Sequence, residues 1–69
     1  MKSNVVNKVR DYRNQFDLTQ AELAKKVGVT RLTIISIEKQ NYEPSVGLAL
    51  KLAKLFRCSV EDLFTVGEE

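Results

Sequence analysis

Midway along this 69-residue chain a helix stop is followed almost at once by a helix start. Thr19-Gln20-Ala21-Glu22 reads as a capping box, in which the Thr19 hydroxyl accepts from the Glu22 amide and the Glu22 carboxylate reaches back to the Thr19 amide. The helix opened there carries Ala21, Leu23, Ala24 and Val27 and is closed by Gly28, which takes the left-handed conformation without a Cβ clash. Only Val29 separates that stop from Thr30, a good N-cap for the next helix. On that helix Ile34 and Ile37 share one face, while Arg31, Leu32, Thr33, Ser36 and Lys39 point elsewhere. So short a turn predicts two helices packed against each other, with the polar face of the second left outside.

The rest of the chain is punctuated in the same way. Val5, Val9, Tyr12 and Phe16 recur at helical spacing and predict a first helix from Asn4 to Gln15, ending near Asp17. Residues Gln40 to Ser45 form a polar loop, where Pro44 blocks helix continuation and Ser45 is placed to cap a fourth helix. That helix bears Leu48, Ala49, Leu50, Leu52, Ala53, Leu55 and Phe56, leaving mainly Lys51 and Lys54 for solvent, which suits a central packing element. Ser59 caps a last short turn from Val60 to Phe64, with Glu61 and Asp62 at the positive end of its dipole, and Thr65 to Glu69 are too few to assign. There is no strand-like alternation, repeat or low-complexity stretch, so the expected fold class is all-α with five helices.

Length and composition bound the function. A chain of 69 residues holds one core and is expected to be a single domain over 1–69. Chains of this size bury only about 60% of the surface their unfolded form exposes, which makes a homodimer an expected source of added stability. Hydrophobic residues make up 43% of the chain, yet no apolar run approaches the ~20 residues of a membrane span. The start, Met1-Lys2-Ser3-Asn4-Val5-Val6, lacks a signal-peptide pattern, and the lone Cys58 has no internal disulfide partner, so a cytoplasmic location is expected, away from membranes. With no His, a single Cys, no metal-ligand cluster and no Gly-rich phosphate loop followed by Lys, an enzyme is disfavoured and neither metal nor cofactor is expected. Charge is asymmetric: residues 1–57 hold all eleven Lys and Arg against five carboxylates, while the last twelve residues hold four carboxylates and no base. A body of +6 suits an anionic partner, with an acidic tail at 65–69 turned away from it.

At this point the chain resembles the Cro/repressor, or Xre, class of helix-turn-helix proteins. The residues that carry the resemblance are Leu18-Thr19-Gln20-Ala21-Glu22-Leu23-Ala24, Val27-Gly28-Val29-Thr30, Thr33-Ile34, Ile37-Glu38, Pro44-Ser45 and Val60-Glu61-Asp62-Leu63-Phe64. Their fixed offsets, rather than any single residue, make the match. The pattern departs at Asp17 and Arg57, where Gly is common, at Gln40-Asn41, which replaces a frequent Gly-basic pair, and at Ile35, which replaces a small polar residue. The resemblance implies a lambda-repressor-like DNA-binding domain with its helix-turn-helix at about residues 19–40, acting as a small transcriptional regulator of the repressor kind.

It also implies roles. Arg31, Leu32 and Ser36 correspond to residues that face DNA bases: an Arg can reach guanine O6 and N7 together, and a Leu can touch a thymine methyl. Thr33 and Lys39 fall nearer the groove wall, Thr19 and Gln20 at a helix N-terminus suited to phosphate, and Thr30, Asn41 and Tyr42 flank the recognition helix as further phosphate candidates. Arg13 and Glu38 are implied as a structural ion pair. Val60, Leu63, Phe64 and Val66, near the C-terminus where a short final helix has little core left to cover, are expected at a dimer surface. Exposed Ile35 or Phe16 would likewise belong to a partner contact, and Cys58 reads as a small apolar residue rather than a redox switch. The rival from another class is an antitoxin-like or regulatory module that grips a protein partner, which the apolar Leu32 and Ile35 would suit better than the polar residues around them.

Overall fold

The computed structural model describes residues 4–67, so Glu68 and Glu69 of the acidic tail lie outside the described residues. Its elements run β1 (Val5–Asn7), α1 (Val9–Gln15), α2 (Gln20–Val27), α3 (Arg31–Glu38), α4 (Val46–Phe56), α5 (Val60–Leu63) and β2 (Phe64–Val66). All five expected helices are present, with the first and last shorter than the sequence predicts. The two strands were not anticipated: they pair antiparallel, with Val5 opposite Val66, Val6 opposite Thr65 and Asn7 opposite Phe64. The first helix therefore begins at Val9 rather than Asn4. Two causes act together. The β-branched Val5, Val6, Thr65 and Val66 suit a pleated pair, and the Asn7 side chain stops the helix by accepting from the Val9 amide at 3.1 Å. The last turn likewise ends at Leu63, because Phe64 is already extended as the first residue of β2.

Helix starts follow the sequence closely. Thr19, Thr30, Ser45 and Ser59 all sit at N-caps, accepting from the amides of Glu22, Thr33, Leu48 and Asp62 respectively. Helix ends share a second device. After α1, α2, α3 and α4 an amide bonds back past the cap, from Leu18 to the Arg13 carbonyl, Val29 to Ala24, Asn41 to Ser36 and Cys58 to Ala53. Each closure needs one left-handed residue, and these are Asp17 (φ 56°), Gly28 (φ 77°), Gln40 (φ 64°) and Arg57 (φ 56°). Only Gly28 adopts that conformation freely.

The core is a single cluster of Val9, Leu23, Ala24, Val27, Ile34, Ile37, Leu48, Leu52, Ala53, Phe56 and Leu63. Tyr12 and Phe16 stack on Phe56 with ring centroids 5.6 and 5.3 Å away, which ties α1 to the end of α4. Helix α4 is less fully buried than its composition suggests, since Val46 and Leu50 are exposed. Leu63, expected at a dimer surface, is instead only 1% exposed, because α5 turns it inward onto the monomer core. Among the described residues no helix is long and apolar enough to cross a membrane.

Candidate nucleic-acid interface

Two short helices, α2 and α3, pack closely across the Gly28-Val29-Thr30 turn, with α1 beside α3. Ile34 and Ile37 are fully buried beneath α3, which fixes the opposite side of that helix as an outer face. Arg31 is exposed there, and its side chain has no ion pair or hydrogen bond within the described residues. Leu32 beside it is 71% exposed. Thr33 and Ser36 are half-buried, and with Leu32 and Tyr42 they line a shallow depression of about 170 Å³. Lys39, Asn41 and Tyr42 continue the exposed surface past the end of the helix.

The start of α3 is held by its cap: Thr30 Oγ1 accepts from the Thr33 amide at 3.3 Å and lies 3.1 Å from the Thr33 hydroxyl. The start of α2 is held by the reciprocal bonds of its capping box, 3.0 Å from the Glu22 amide to Thr19 Oγ1 and 2.8 Å from the Thr19 amide to Glu22 Oε1. Bonding to the Thr19 amide, then to its hydroxyl, holds the Glu22 carboxyl below its ordinary pKa. Thr19 is exposed and Gln20 half-buried at this end.

Behind the outer face, one carboxylate gathers three helices. Arg13 Nε donates to Glu38 Oε2 at 2.6 Å and Arg13 Nη2 to Glu38 Oε1 at 3.2 Å, with side chains only 13% and 5% exposed. Arg13 Nη1 also donates to the Leu18 carbonyl at 2.8 Å, and Gln20 Nε2 donates to Glu38 Oε1 at 3.1 Å. The Gln20 amide therefore faces inward with one of its N–H groups, joining the first residue of α2 to the last of α3.

Sequence reasoning missed two residues next to this face. Asn7 and Gln40 bond to each other and to the end of α3, although they lie far apart in the chain. No periodicity or cap signal links them. The remaining expectations concern residues proposed for partner contacts. Val60 and Phe64 are half-buried beside a largely apolar depression of about 160 Å³ that Val5, Glu43, Pro44, Val46 and Ala49 also line, and Val66 is 76% exposed. Ile35 is half-buried, and Phe16 is 42% exposed while still meeting Phe56 edge-on.

Comparison with known proteins agrees with this geometry. Residues 9–63 match the helix-turn-helix family profile. A protein of Methanocaldococcus jannaschii described as an uncharacterized HTH-type transcriptional regulator is 55% identical over 58 residues, covering 84% of this chain and 88% of the relative. The Bacillus subtilis HTH-type regulator YgzD is 48% identical over 63 residues, covering 91% of this chain and 96% of its own. Among solved structures, the P22 c2 repressor in complex with a synthetic operator superposes with a TM-score of 0.74 at 34% identity, covering 77% of this chain and 80% of that one. The chain belongs to the Cro/repressor class of helix-turn-helix proteins, DNA-binding transcriptional regulators built on the lambda-repressor-like fold.

Proposed function

We propose that the protein is a cytoplasmic repressor whose residues 1–69 form one DNA-binding domain. It binds a two-fold operator as a homodimer and places its two α3 helices in successive major grooves about 34 Å apart. The observation that carries this reading is the free outer face of α3, where Arg31 and Leu32 project from a helix whose other side is fully buried. Its likeness to a repressor seen on operator DNA supports the same docking. Arg31 reads guanine, Leu32 contacts a thymine methyl and Ser36 completes the base-facing set. Thr19, Gln20, Thr30, Thr33, Lys39, Asn41 and Tyr42 meet phosphates or the groove wall. Of these, Thr19, Gln20, Thr30 and Thr33 already engage a side-chain polar group within the protein, so their contacts use what remains.

The dimer surface in this reading is the apolar depression beside Val60 and Phe64, extended by exposed Val46 and Val66. Leu63 has no part in it, being inside the core. A second copy covers the apolar surface that a chain this small cannot bury alone.

Selection of bound duplexes from a random DNA library, followed by a salt series on the winner, tests the proposal. The expected result is an enriched two-fold motif with steep salt dependence, and lost discrimination in Arg31→Ala. Absence of enrichment, with weak binding that vanishes at moderate salt, would refute it and favour the antitoxin-like module, for which Leu32 is the exposed apolar anchor.

A further inference from the structure

The residue that closes α3 and the last residue of β1 hold each other by their backbone and side chains at once. Gln40 Oε1 accepts from the Asn7 amide and from Asn7 Nδ2, each at 3.1 Å, while Gln40 Nε2 donates to the Asn7 carbonyl at 3.2 Å. The Gln40 side chain thus pairs with Asn7 as a neighbouring strand would. Asn7 Nδ2 donates also to the Ile37 carbonyl at 2.9 Å, and Asn7 Oδ1 accepts from the Val9 amide at 3.1 Å. One Asn side chain therefore starts α1 with its oxygen and ties down the end of α3 with its nitrogen. On its other side Asn7 sits opposite Phe64 in the ribbon, and the adjacent Lys8 amide donates to the Leu63 carbonyl at 2.9 Å.

Helix α3 has eight residues, about 12 Å of rise, so its C-terminal anchor is close enough to govern where its first turn points. Its end carries two lateral anchors. Glu38 is held by Arg13 and Gln20, and Ile37 and Gln40 are held by Asn7. Buried Ile34 and Ile37 set which side of α3 faces outward, and two polar anchors on neighbouring residues at its end hold that orientation against small rolls about the axis. Reading a base edge requires side chains placed to within about 0.5 Å, which makes the roll of α3 a determinant of discrimination.

We propose that Asn7 and Gln40 are positioning residues for sequence reading. Through the Ile37 carbonyl and the end of α3 they set the angle at which Arg31, Leu32 and Ser36 meet the bases. This rests on the reading that α3 enters the major groove, and it adds a role for the β1–β2 ribbon, which anchors Asn7.

Two variants separate positioning from bulk stability. Gln40→Gly removes the side-chain clamp, while Gly adopts the left-handed conformation of residue 40 without strain, so thermal melting is expected to stay close to wild type. Asn7→Ser keeps a side-chain oxygen as acceptor for the Val9 amide and adds no charge, but loses the Nδ2 donor to the Ile37 carbonyl and to Gln40 Oε1. Each is expected to lose about tenfold in affinity for the selected operator, comparable to one good base contact, with non-specific affinity and salt slope unchanged because phosphate contacts stay in place. Wild-type discrimination in a folded Gln40→Gly would overturn the proposal, as would an equal loss of specific and non-specific binding in both variants. Failure of the groove reading itself shows separately, as a wild-type protein that selects no motif.

Discussion

Removing Arg13 is the perturbation whose cost the structure defines best. Its guanidinium makes two bonds to Glu38, at 2.6 and 3.2 Å, and one to the Leu18 carbonyl at 2.8 Å, and the two side chains are 13% and 5% exposed. In Arg13→Ala the Glu38 carboxylate keeps only the Gln20 amide and stays at a site water barely reaches. An orphaned buried charge of this kind costs about 3–5 kcal/mol, against about 1 kcal/mol or less for an exposed pair. A domain of this size has a total stability of roughly 3–10 kcal/mol, at 0.05–0.15 kcal/mol per residue. The substitution is therefore expected to lower the melting temperature by at least about 12 °C, at roughly 4–8 °C per kcal/mol, and to leave much of the population unfolded at ordinary temperature. Circular dichroism melts, checked by urea titration, measure this directly. Arg13→Met with Glu38→Leu removes both charges together and is expected to recover most of the loss, because the penalty comes from the unpaired carboxylate rather than from the missing attraction. A drop below about 5 °C in Arg13→Ala would refute the reasoning, since it would value the pair as a surface contact.

Three further outcomes follow from particular geometries. Arg57 closes α4 at φ 56° with an exposed side chain, so Arg57→Gly is expected to raise stability by about 0.5–1 kcal/mol, read as a melting temperature a few degrees higher, while an unchanged or lower value refutes strain there. Glu22 is held below its ordinary pKa by Thr19, so its contribution is present above the unfolded carboxylate pKa and lost as pH falls through the lower folded value. Glu22→Gln should then melt below wild type near neutrality and converge with it in acid; parallel curves across the range would contradict the capping-box account. Burial pushes the Cys58 thiol up, only partly offset by its hydrogen bond with Tyr12, so native alkylation is expected to be much slower than that of the unfolded chain, and equal rates would show a reactive thiol.

How much of this was legible in the sequence depends on the range over which each interaction acts. Thr19, Thr30, Ser45 and Ser59 cap helices through bonds reaching three residues forward, and all four were readable because the partners sit within one turn. Ile34 and Ile37 were placed inside by the same local logic, since helical periodicity is itself a short-range property. The β-ribbon was not readable. Val5 and Val66 stand at opposite ends of the chain, three-residue strands carry no alternation to detect, and Val5, Val9, Tyr12 and Phe16 also satisfy helical spacing, so the helix reading absorbed them. What decides against it is Asn7, whose side chain accepts from the Val9 amide at the start of α1 and whose amide bonds Gln40 across 33 positions. Leu63 shows the same limit from the other side: its composition suits a partner surface as well as a core, and only the return of the chain through α5 into β2 turns it inward. The outer face of α3 was legible for a different reason, because a short turn and two buried Ile leave one orientation for Arg31 and Leu32. What the sequence left open is how firmly that orientation is held, and the answer lies in Arg13, Gln20, Asn7 and Gln40, polar residues whose long-range partners no pattern announces.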